Sequence, residues 1–65
     1  MKPIRIFKND DLGIEAHVSS IFGQYNMVAY SVCLKDTDAN EFLDAIKLFQ
    51  NEEDANHYAK YIISD

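Results

Sequence analysis

The stretch EFLDAIKLF, residues 41–49, decides how this chain folds. Phe42, Ala45, Ile46 and Phe49 recur at i, i+3, i+4 and i+7, the spacing of one helical face. Read as a strand, the same residues close a hairpin across DTDANE (36–41) and extend a run of strands that precedes them. The window is short, and the signals of another helix begin almost at once after it. Strand is the preferred reading, with helix for residues 39–50 as the alternative.

Upstream, MVAYSVCLK (27–35) is rich in β-branched and aromatic residues and alternates with period two. One parity carries Val28, Tyr30, Val32 and Leu34; the other carries Met27, Ala29, Ser31 and Cys33. IEAHVSSIF (14–22) alternates likewise, with Ile14, Ala16 and Val18 on its drier face and Glu15, His17, Ser19 and Ile21 on the other. PIRIF (3–7) makes a shorter strand whose Pro3 suits a first or edge position. KNDDLG (8–13) and GQYN (23–26) supply the Asn, Asp and Gly that turns require.

Downstream, Asn51 caps a helix whose first turn holds Glu52, Glu53 and Asp54. Carboxylates there meet unpaired N–H groups and the positive end of the helix dipole. Asn51 and Asp54 approximate a capping box. Ala55, Tyr58, Ala59 and Ile62 form one apolar stripe, and Lys60 lies in the later turns. The expectation is an α+β domain spanning residues 1–65: a four-stranded antiparallel meander carrying one C-terminal helix on one face (ββββα). The helix stripe is expected to pack on Val28, Tyr30, Val32 and Leu34.

One helix covers one face of four strands. The opposite face then presents His17, Ser19, Met27, Ala29, Ser31 and Cys33, small or flexible side chains that let another surface approach. These six are the candidate partner-binding residues. A simple solvated face is the competing reading.

KDTDAN (35–40) is the nearest thing to a chemical signature. Asp36, Asp38 and Asn40 match positions 1, 3 and 5 of a calcium loop. Position 6, however, is Glu41 where glycine is needed, and position 12 is Lys47 where a bidentate Glu belongs. Asp and Asn bonding their own backbone in a turn account for the segment. No metal or cofactor is expected; a small metal-binding protein, with His17 and Cys33 sharing a face, is one alternative. The only glycines, Gly13 and Gly23, form no phosphate-cradling loop. So short a chain offers little room for an oxyanion pocket, and no enzyme activity is expected.

The chain has 65 residues, with 6 basic against 11 acidic side chains, for a net charge of −5. The six cations are scattered, which argues against direct nucleic-acid binding. A single-strand binder that stacks bases on exposed tyrosines is the second alternative. The acids fall in three groups: Asp10 and Asp11; Asp36, Asp38 and Glu41; and Glu52, Glu53 and Asp54. Asp36, Asp38 and Glu41 form a second candidate surface, suited to a basic or nucleic-acid-binding protein partner. The lone Cys33 excludes an intramolecular disulfide and fits a reducing, cytoplasmic compartment. No apolar run reaches the ~20 residues of a membrane span. A core this small supplies ~3–5 kcal/mol, which makes self-association into a dimer an expected source of extra stability.

The segment from YSVCLKDTDANEF through IKLFQNEEDANHYAKYI resembles small uncharacterised proteins common in phage and prophage genomes. The resemblance rests on a strand, an Asp-rich turn, a strand ending in Phe and an EEDAxxYA-like helix. The matching residues are Asp36, Asp38, Phe49, Ala55, Tyr58 and Ala59. It implies a non-enzymatic accessory protein that binds a host or viral protein, such as an inhibitor of a defence system.

Overall fold

The computed structural model describes residues 3–22 and 27–64, with the backbone alone at positions 44 and 45. Strands β1 (Arg5–Asn9), β2 (Ile14–Phe22), β3 (Val28–Asp36) and β4 (Glu41–Phe49) precede helix α1 (Glu52–Ile62). They form one antiparallel sheet in the order β1-β2-β3-β4, with the helix packed against it. The four-stranded meander with a C-terminal helix is therefore the fold. The GQYN connection at 23–26 lies outside the described residues.

Residues 41–49 are a strand. Tyr30 pairs with Phe49, Val32 with Lys47 and Cys33 with Ile46, and a register shift between Cys33 and Lys35 brings Lys35 opposite Phe42. The pleat separates what a helix would have joined. Phe49 faces the helix and tilts against Tyr58, with ring centroids 5.2 Å apart, while Ile46 falls on the opposite side.

The turns follow their chemistry. The Asp36 carboxylate accepts from the N–H groups of Asp38 (3.0 Å) and Ala39 (3.2 Å), so it is engaged by its own turn. Asn40 takes the left-handed φ of 53° that Asn tolerates. Gly13 does the same at 66°, and a Cβ there would lie 2.9 Å from an Asp38 carboxylate oxygen. The Thr37 N–H donates to the Gly13 carbonyl at 2.9 Å. The β1–β2 and β3–β4 turns therefore meet at one end of the sheet.

Helix α1 starts as its sequence dictates. The Asp54 N–H donates to Asn51 Oδ1 at 2.8 Å, and Asn51 Nδ2 donates back to Asp54 Oδ2 at 3.0 Å. The reciprocal bond runs through the Asn side chain rather than its backbone N–H, a variant of the capping box. The helix end is tied down where Asn9 Nδ2 donates to the Ile63 carbonyl.

Ala16, Val18, Val32, Ala55, Ala59 and Ile63 form the buried core, joined by Phe7, Ile14, Tyr30, Leu34, Phe49, Tyr58 and Ile62. Val28 does not belong to it and stays exposed. The reason is length: 11 helical residues span about 16 Å, whereas a nine-residue strand runs about 30 Å. The helix lies over the half of the sheet nearest the two turns. The β2–β3 hairpin projects beyond it, and Phe22, opposite Val28, is 84% exposed. The molecule is accordingly elongated, 40 × 20 × 17 Å.

Candidate docking face

The strand register places the paired side chains of the uncovered face among the described residues. From β1 to β4, one row reads Ile6, His17, Cys33, Ile46; the next towards the turns reads Lys8, Glu15, Lys35, Phe42. On the other side, Ser19, Ser31 and Leu48 form a row, followed by Ile21 and Ala29. Ile4, whose N–H donates to the Val18 carbonyl, prolongs the β1 column.

This arrangement has relief. The two outer columns are tall and apolar: Ile4 and Ile6 on β1, and Phe42, Ile46 and Leu48 on β4. All five are exposed, with Ile46 at 64% and Leu48 at 58%. The two inner columns between them are low, with Ser19, Ala29, Ser31 and Cys33 at most partly exposed. Along the rows of Ile46 and Leu48 the face is a trough, with hydrophobic walls and a floor of Cys33, Ser19 and Ser31 beside the buried His17; Glu15, Lys35 and Ile21 stand in the same inner columns beyond those rows. Such contiguous exposed apolar surface marks sites of interaction.

Five of the six candidate residues, His17, Ser19, Ala29, Ser31 and Cys33, lie on this face. Met27 is exposed but precedes β3. His17 is only 8% exposed, so it is part of the floor rather than a displayed side chain. Its Nε2–H donates to Glu15 Oε1 at 2.9 Å, and its ring meets Phe42 edge-on with centroids 5.2 Å apart. The walls were not singled out from sequence. Their signal was present in the alternation of Ile4 with Ile6 and of Ile46 with Leu48. Which side of the sheet they join depends on pairing register, and period two alone does not supply that.

His17 and Cys33 are direct cross-strand partners, yet His17 Nε2 is committed to Glu15. Burial raises the Cys33 thiol above its usual pKa, which keeps it protonated at neutral pH. Among the described residues, no group of three or more His, Cys, Asp or Glu side chains is placed to hold a metal ion. A cleft of about 250 Å³ between α1 and the β3–β4 side of the sheet is lined by Val32, Leu34, Ile46, Lys47, Tyr58 and Ile62. It is smaller than the ~300–1,000 Å³ of ligand pockets. Tyr30 and Tyr58 pack against the core, and Tyr61 is exposed on the helix.

The Glu15 carboxyl is held below its ordinary 4.5, first by the hydrogen bond from His17, against opposing burial, and then by the charges of His17, Lys8 and Lys35. A lowered folded value means this carboxylate stabilises the fold above pH 4.5, and the contribution is lost as pH falls through the folded value. In His17→Phe the Glu15 carboxyl is expected to titrate higher, towards 4.5, and the acid-side loss of stability to shrink. Carboxyl NMR titration of both proteins measures this. An unmoved Glu15 would mean that the lysines, not His17, hold it down.

The acids gather only in part. Asp10 and Asp11 share one pole with Asp36, Asp38 and Glu41, because the two turns touch there. Glu52, Glu53 and Asp54 begin the helix at its other end. No family model, curated protein or solved structure matches the chain. Among the described residues, no helix is long and apolar enough to cross a membrane.

Proposed function

We propose that the chain is a non-enzymatic protein-binding module that docks on its partner through the uncovered sheet face, in keeping with an accessory protein of a phage or mobile element that inhibits a host protein. The observation that carries this reading is the trough itself: five exposed large apolar side chains flank small ones in its middle rows, on a face that no described element covers. Interfaces draw their energy from a few anchors that fill such relief, each worth ~2 kcal/mol or more. The acidic pole lies beside this face and adds a preference for a basic partner by steering encounter.

The test is capture from host extract with the wild-type chain and with Ile46→Lys/Leu48→Lys. A partner held through this face is retained by the first and weakened on the order of 100-fold in the second. Phe22→Ser, which removes a still more exposed side chain beyond the helix, leaves it bound. A partner that ignores the double variant but is released by Asp36→Asn/Asp38→Asn, or by moderate salt, would move the site to the acidic pole.

A further inference from the structure

We infer that the tip of the β2–β3 hairpin dips into an electrically neutral lipid surface, a second contact that does not use the trough. Three observations lead there. The first is charge. From Val18 to Leu34 the chain holds no Asp, Glu, Lys, Arg or His. The six cations and eleven acids all lie outside this span. The hairpin, with the Gly, Gln, Tyr and Asn of residues 23–26 between its strands, leaves water without desolvating a charge. Desolvating a charge is what makes ionic side chains costly in hydrocarbon.

The second is what the tip displays. Phe22 and Val28 are cross-strand partners beyond the reach of α1, and both are exposed, as is Met27 next to Val28. Ile21 and Ala29, the next pair, lie on the other side of the hairpin and are partly exposed. Apolar side chains thus stand on both sides of one projection. A protein would need a socket that encloses it, whereas a fluid lipid surface closes around any projecting shape. Side chains of this kind settle at the boundary between headgroups and acyl chains. Phe22, Met27 and Val28 together are about the size of one myristoyl chain, whose hold on a bilayer is reversible, with K on the order of 10⁴ M⁻¹.

The third is where the charges lie. Ile14 and Asp36, paired at the opposite end of the same two strands, are about 27 Å along them from Phe22 and Val28. The acidic pole is there, about three Debye lengths from the tip at physiological salt. Glu52, Glu53 and Asp54 are nearer, since they follow Phe49, which pairs with Tyr30. Among the described residues, the sheet cations closest to the tip, Arg5 and Lys47, stand opposite Val18 and Val32, about 14 Å behind it. The root of the tip is therefore acidic, and zwitterionic headgroups suit it better than anionic ones.

Flotation of the full chain at roughly 1 mM lipid tests this, with vesicles of phosphatidylcholine alone and of phosphatidylcholine with added phosphatidylserine. The wild-type chain is expected to float with the first, and its bound fraction to fall with the second at low salt. Phe22→Ser/Met27→Ser is expected to partition about tenfold more weakly or worse. Ile46→Lys/Leu48→Lys is expected to float like the wild type, and circular dichroism checks that each variant is folded. A wild-type chain that floats with neither vesicle overturns the inference, and that result depends on no variant. Flotation that survives Phe22→Ser/Met27→Ser, or that requires the anionic lipid, overturns it too. Loss of flotation in Ile46→Lys/Leu48→Lys alone overturns it in favour of the trough as the lipid contact. A wild-type chain that does not float, yet captures a protein which Phe22→Ser/Met27→Ser releases, overturns it in favour of a protein socket.

Discussion

Ala59→Leu is expected to remove most of the stability of this domain. Ala55 and Ala59 are fully buried where α1 meets the sheet, and their single methyl groups set how closely the helix approaches Val18 and Val32. Close-packed interiors absorb added methylenes only by shifting backbone or straining rotamers, at about 1–3 kcal/mol. A core of this size supplies ~3–5 kcal/mol in all. In a domain this small each kcal/mol moves the melting midpoint by roughly 4–8 °C. The expected fall is therefore on the order of 10–20 °C, with a matching drop in the urea midpoint. Tyr61→Leu on the exposed side of the same helix is expected to stay within ~0.5 kcal/mol of the wild type. A mild Ala59→Leu would show that the helix lies further from the sheet than its buried alanines indicate.

The second large effect lies across the sheet. Val18 and Val32 are paired in register and are the largest fully buried side chains. Each Val→Ala change loses about 0.8 kcal/mol per buried carbon removed, and the cavity left behind adds to this. About 2 kcal/mol for each single change follows. Because the two touch, the double variant is expected to cost less than the sum, by about 0.5 kcal/mol or more, since both truncations empty one shared space. Denaturant unfolding of the four proteins measures the coupling. Strict additivity would place the two side chains in separate packing environments and contradict the register.

How much of this could be read beforehand depended on whether the cause was local. The helix start was legible because Asn51 and Asp54 satisfy one another within a single turn. The Asp-rich turn was legible because Asp36 bonds its own following backbone. Residues 41–49 were harder, since their apolar spacing suits a helix as well as a strand. Pairing with β3 decides the matter, and β3 is distant information for a local pattern. That His17, Ser19, Ala29, Ser31 and Cys33 share one face is legible from the clean alternation of β2 and β3. Its apolar rims were missed, because the phase of an edge strand is fixed only by the neighbour it pairs with. Val28 was expected under the helix for a related reason: strand parity tells which side a residue faces, not how far along the sheet the helix extends.

Alternation in β2 and β3, turn chemistry and the capped amphipathic tail are short-range properties, and they alone determined the order of the elements and the side on which the core would form. Cross-strand register acts between residues far apart in the chain. It alone decided that Ile4, Ile6, Phe42, Ile46 and Leu48 border one trough, that His17 lies in its floor bound to Glu15, and that two acidic turns meet while the third acidic group stays apart. Side-chain parity is a property of one strand, whereas a surface with relief belongs to four strands held in step.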